Sequence, residues 1–168
     1  MDDRHETLSV CECIQRIMTN HHLKLSTAES CTGGRIASSL TAVPGSSAYF
    51  IGSVVAYQNE VKERLLDVDS DDIDKYEVVS REVAISMVKG ACRLFSSDYA
   101  LASTGCAGPD GGTAKSPVGT IWLAYGTADN VETFCCTADH GRLANVENAS
   151  ATVLELFAEF LLSRYSNK

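Results

Sequence analysis

The sequence predicts a layered α/β domain, with helices on both faces of a mixed β-sheet, and three observations lead there. Short β-rich runs alternate with runs of helical period along most of the chain. Two further β-rich runs, Thr120–Gly126 and Val131–Ala138, follow each other closely enough to pair as a hairpin, which makes the sheet mixed. The length of 168 residues, 45% of them apolar and 21% charged, suits a single self-sufficient core, so residues 1–168 are read as one domain.

The elements follow in order. Leu8, Cys11, Ile14, Ile17 and Met18 recur at helical spacing and predict a helix between Thr7 and His22. Leu23–Glu29 reads as a short strand running into Ser30–Gly34. Ile36, Ala37 and Leu40 then share a face, so a helix is expected whose first turn follows Thr32. Gly52–Gln58 is a β-rich run, and Asn59–Leu66 reads as a helix capped by Asn59. The acidic stretch Asp67–Tyr76 holds a turn and a short helix. Ser80 opens a longer helix whose apolar set is Val83, Met87, Val88, Ala91 and Leu94. Asp98–Ser103 is a buried strand, Thr104–Gly119 a glycine-rich loop, and Ala144–Arg164 a closing helix after the hairpin.

Composition narrows the partners. A net charge of -8 opposes binding to a nucleic-acid backbone, which needs a basic surface. No apolar run is long enough to span a bilayer, and the acidic start is unlike a secretory signal, so a cytoplasmic protein without membrane partners is expected. Seven cysteines at irregular spacing, with no CxxC or HxxxH pattern, argue against a disulfide framework and against a structural metal site.

Three polar clusters fall at the ends of predicted strands, where open α/β sheets build their sites: Ser30–Gly34, Tyr57–Lys62 and Thr104–Gly112. In the first, a strand, a tight turn and a helix start could leave the N–H groups of Thr32, Gly33 and Gly34 unpaired and suited to a phosphate or an oxyanion. Equally, Ser30 or Thr32 could simply cap the helix. In the second, Lys62 could serve as a base only if neutral, and an ordinary lysine of pKa ~10.4 is neutral in about 0.04% of molecules at pH 7. A lowering of ~3 units, through burial or a nearby cation, would raise that share to roughly 30%. In the third, Gly105, Gly108, Gly111 and Gly112 permit close approach of backbone to a ligand. Cys31 is the better intrinsic nucleophile, and a helix start would lower its pKa. The reading nevertheless prefers Ser30, because Lys62 comes from a strand end that can adjoin it.

Read together, "TAESCTGGRIAS", "PGSSAYFIGSVVAYQNEVKERLLDV", "VVSREVA" and "TGCAGPDGGTAKSPVGTIWLAYG" resemble the CinA C-terminal domain family, in its stand-alone form. The resemblance implies hydrolysis of the carboxamide of nicotinamide mononucleotide to nicotinate mononucleotide and ammonia, without metal or cofactor. It implies Ser30 as nucleophile, Lys62 as its activating base, and Tyr57 as an orienting group. Thr104, with Gly105 and Gly108, and Arg142 complete the substrate site by the same resemblance, and a homo-oligomer, a dimer or larger, is expected. This chain departs from the family at Gly141, where an aspartate is common, and over Asn145–Asn148, where a further arginine is usual. Those departures motivate a second reading, a nucleotide-binding or regulatory module with weak or lost catalysis, or action on another amide.

Overall fold

The structure, a computed structural model, describes residues 3–165, with side chains from Ser9 onward. Leu8 of the predicted first helix, like the two ends of the expected 1–168 domain, lies outside the described side chains. The helices are α1 (Asp3–Asn20), α2 (Arg35–Thr41), α3 (Asn59–Leu66), α4 (Ser70–Tyr76), α5 (Arg81–Phe95) and α6 (Arg142–Tyr165). The strands are β1 (Leu25–Glu29), β2 (Phe50–Val55), β3 (Tyr99–Gly105), β4 (Ile121–Gly126) and β5 (Val131–Cys136).

They form one five-stranded sheet of order β2-β1-β3-β4-β5. β1 is parallel to both β2 and β3, whereas β3–β4 and β4–β5 are antiparallel, so the expected mixed sheet and late hairpin are present. The crossover from β1 to β2 runs one way across the sheet, and that from β2 to β3 runs back past β1. Right-handed connections in opposite directions put their helices on opposite faces. Two cores result accordingly. Leu25, Tyr99, Leu101 and Leu123 pack with α1, α2 and α6 on one face, while Ala28, Ala100, Ala102 and Ala124 meet α5 on the other.

The small residues on the second face let α5 approach closely, and α5 in turn lies tight against α3. A Cβ at Gly90 would fall 2.1 Å from the Leu66 carbonyl oxygen. α1 contributes Cys11, Ile14 and Met18 to the first core, all fully buried. Burying an Ile or Met side chain contributes about 2 kcal/mol, which explains why the helical period was so plain there.

Some local expectations are corrected. β2 starts at Phe50 and ends at Val55, leaving Ala56–Gln58 outside the strand. Gln58, not Asn59, is the N-cap of α3, and its side chain makes no capping bond. α2 starts after Gly34, whose φ of 96° no residue with a Cβ adopts readily, so the turn runs two residues beyond Thr32. The Ser80 cap is as expected, accepting from the Val83 N–H. Among the described residues, no helix is long and apolar enough to cross a membrane.

Candidate active site

The three parallel strands end on the same edge of the sheet, so the residues that follow them converge. Ser30 follows β1, Ala56 and Tyr57 follow β2, and Thr104 and Gly105 close β3. Ser30, Tyr57, Thr104 and Gly105 line one cleft of about 260 Å³, with Lys62, Val78, Val79, Cys106, Gly108 and Arg142 in its wall. All three polar clusters recognised in the sequence therefore meet.

Ser30 is held by its backbone. Its N–H donates to Ser103 O at 3.0 Å, prolonging the β1–β3 ladder, and its carbonyl accepts from Gly33 N–H at 3.1 Å. Lys62 arrives from the buried face of α3, one helical turn before the buried Leu66. Its ammonium nitrogen lies 3.0 Å from Ser30 Oγ, 2.7 Å from Ala56 O and 3.4 Å from Tyr57 O.

Lys62 is only 1% exposed, and desolvation lowers its pKa from 10.5 to about 8, with the neighbouring Cys31 pulling weakly the other way. At that value about 10% of the side chains are neutral at pH 7. The neutral amine has two N–H bonds and one lone pair. The ammonium form donates to the two carbonyls and to the Ser30 hydroxyl, whereas the neutral form has enough N–H bonds for the carbonyls and a lone pair left for the Ser30 proton.

Thr32, Gly33 and Gly34 do not take the place expected for them. They are absent from the cleft wall, because the fully buried carboxylate of Glu29 occupies the start of α2. It accepts from Thr32 Oγ1 at 2.7 Å and from the N–H groups of Gly34, Ile36 and Ala37 at 3.0, 3.1 and 2.8 Å. No anionic ligand is needed at that helix end, since an internal anion already fills it. Thr32 also shares a 2.7 Å hydrogen bond with Ser103 Oγ, which ties the turn to β3. Glu29 went unnoticed in the sequence; its signal was a carboxylate at a strand end, six residues before a helix start.

Cys31 is also corrected. Burial pushes its thiol up to about 12, more than the nearby cations and its own backbone bring it down, so a thiolate nucleophile is disfavoured at neutral pH.

The remaining predicted residues divide between wall and rim. Thr104 lines the cleft, with its hydroxyl donating to Val78 O at 2.8 Å and so fastening the Val78–Val79 wall to β3. Gly105 is required by packing, since a Cβ there would lie 2.7 Å from Ile121 Cα. Gly108 turns the loop at φ 88°. Arg142, exposed at the start of α6, donates to Gly108 O at 2.7 Å and to the Tyr57 hydroxyl at 2.8 Å. Tyr57 is thus a rim residue whose carbonyl, not its ring, faces Lys62.

Asn145, within the segment read as replacing an arginine, is buried behind the glycine-rich loop and donates to Ala107 O at 3.1 Å. Among the described residues, no three His, Cys, Asp or Glu side chains come together in a way that could hold a metal ion.

Fold and cleft together define a doubly covered α/β domain with a buried serine–lysine pair at the carboxyl ends of its parallel strands. The sequence profile of the CinA C-terminal domain matches residues 7–161, and the chain belongs to that family. A CinA-like protein of Colwellia psychrerythraea is 41% identical over 152 residues, covering 90% of this chain and 35% of the relative. Another, from Cytophaga hutchinsonii, is 40% identical over 143 residues, covering 85% of this chain and 34% of its own length. The chain thus spans about a third of the length of these curated relatives.

Two solved structures are similar nearly end to end. The competence/damage inducible protein CihA of Agrobacterium tumefaciens has a TM-score of 0.87 at 36% identity, covering 91% of this chain and 94% of that one. The competence damage-inducible protein A of Klebsiella pneumoniae has a TM-score of 0.90 at 30% identity, covering 95% and 98%.

Proposed function

We propose that this domain is an amidohydrolase that converts nicotinamide mononucleotide to nicotinate mononucleotide and ammonia through Ser30 and Lys62. The observation that carries the reading is the 3.0 Å contact between Ser30 Oγ and a buried lysine whose pKa is lowered to about 8. Ser30 Oγ attacks the carboxamide carbon while its proton passes to the Lys62 amine. The C–N bond then breaks, Lys62 returns the proton to the departing nitrogen, and ammonia leaves an ester on Ser30. Water attacks that ester, with Lys62 again taking and returning a proton, and the carboxylate product departs.

Arg142 supports an anionic substrate. Its guanidinium carries five N–H bonds, and the two recorded contacts leave others for a phosphate at the rim. Locally this opposes the overall charge of -8. The test is ammonia release from nicotinamide mononucleotide by wild type, Ser30→Ala and Lys62→Met. Release by wild type alone supports the reading; equal release by Ser30→Ala overturns it.

A second reading, a nucleotide-binding module with weak or lost catalysis, is motivated by the departures from the family at Gly141 and over Asn145–Asn148. Calorimetric binding of the nucleotide without ammonia release would select it.

A further inference from the structure

We propose that Asn145 is a positioning residue, which holds the Ala107–Gly108 peptide so that the Gly108 N–H faces the reacting carbonyl oxygen. This rests on the Ser30–Lys62 reading. Asn145 lies in the first turn of α6 and is 4% exposed. Both ends of its amide are committed. Oδ1 accepts from His140 N–H at 2.8 Å, while Nδ2 donates to Asp139 Oδ1 at 2.8 Å and to Ala107 O at 3.1 Å. A flipped amide would set oxygen against two acceptors, so the orientation is determined by its neighbours.

The Ala107–Gly108 peptide is trans, the cis bond being the next one, so its C=O and N–H point in opposite directions. Asn145 belongs to the wall of a separate cleft of about 240 Å³, with Phe134, Cys136 and His140, whereas Ala107 and Gly108 line the cleft of Ser30. With the Ala107 carbonyl drawn back to Asn145, the Gly108 N–H is directed forward, and it has no hydrogen-bond partner among the described residues.

The next carbonyl, Gly108 O, is drawn to the same helix turn by Arg142, three residues before Asn145 and so on the same face. The positive φ of Gly108 suits a chain whose successive carbonyls both turn towards α6. A backbone donor fixed in advance by such a clamp stabilises the tetrahedral oxyanion without reorganising during the reaction, and losing one such donor costs about 10²-fold in rate.

A fluorophosphonate provides the probe, because its phosphoryl oxygen sits where the oxyanion would. Ser30 Oγ bonds to phosphorus as the P–F bond breaks, fluoride leaves, and the hydroxyl proton passes to Lys62. Ala107–Gly108 is the only Ala-Gly pair in the sequence, so carbonyl-¹³C alanine with ¹⁵N glycine isolates this one amide by NMR.

In wild type, the Gly108 amide proton moves downfield once Ser30 is modified. In Asn145→Ala, modification of Ser30, followed by intact mass, slows about 10²-fold. A wild-type Gly108 amide that does not move, or an Asn145→Ala protein modified at the wild-type rate, overturns the proposal and leaves the serine–lysine reading standing. If Ser30 of wild type is not modified at all, that reading falls and this one with it. Should Asn145→Ala fail to fold, the wild-type NMR result decides.

Discussion

Replacing Lys62 by methionine removes a charge from a site that is 1% exposed, and the effect on stability depends on pH in a defined direction. The folded pKa of about 8 lies below the ordinary 10.5, so between these values the unfolded chain binds more protons than the folded one. Stability therefore rises with pH across that window. The penalty is fully present below about pH 8 and gone above about 10.5. A gap of about 2.5 units amounts to about 3 kcal/mol of destabilisation at pH 7, at 1.36 kcal/mol per unit. Of this, about 1 kcal/mol is relieved by pH 9 and most of the rest by pH 10.

The variant also strips the carbonyls of Ala56 and Tyr57 of a donor, a cost independent of pH that cancels when the pH dependence is compared. Cys31, pushed up to about 12, stays protonated in the folded state over this range. Urea unfolding of wild type and Lys62→Met at pH 7, 9 and 10 measures the difference, given equal m values. Wild type is expected to gain on the variant by the amounts above. A difference that stays flat with pH would refute the idea that folding desolvates a protonated lysine here, and with it the supply of neutral amine to Ser30.

Three other outcomes are expected. Glu29→Gln leaves an amide NH₂ facing donors that the carboxylate now satisfies, which costs about 2–4 kcal/mol in urea unfolding; a change below about 0.5 kcal/mol would contradict the role of Glu29 as the internal anion of α2. Gly90→Ala drives a methyl group into the Leu66 carbonyl and lowers stability by about 3 kcal/mol, while an unchanged urea midpoint would show that α3 and α5 separate freely. Cys31→Ala retains turnover, and iodoacetamide at pH 7.5 leaves Cys31 unmodified in the native protein; loss of activity together with rapid alkylation would restore the thiol as the nucleophile.

Much of the candidate site was legible because each cluster carries a local signature. Ser30 precedes two glycines, Lys62 sits on a short polar helix after a β-rich run, and Thr104 stands where a β-rich run meets a glycine-rich loop. Strand ends in an α/β sheet converge by topology, so their meeting could be anticipated without coordinates. The role of Thr32, Gly33 and Gly34 was misjudged because an unpaired helix start looks the same in sequence whether a ligand or an internal carboxylate fills it. Glu29 decides between the two, and only the turn geometry brings its oxygens to Gly34, Ile36 and Ala37.

The chain by itself determined the periods of its helices and strands, the mixed sheet and the positions of the polar clusters, because these depend on side-chain spacing and turn chemistry between near neighbours. Tertiary structure alone decided that Lys62 is desolvated, that Cys31 is not a ready thiolate, and that Asn145 holds the glycine-rich loop. Burial and long-range hydrogen bonds set these properties. They arise from contacts such as Ser30 with Lys62 and Ala107 with Asn145, which are 32 and 38 residues apart and meet only when the sheet and its two helical layers close.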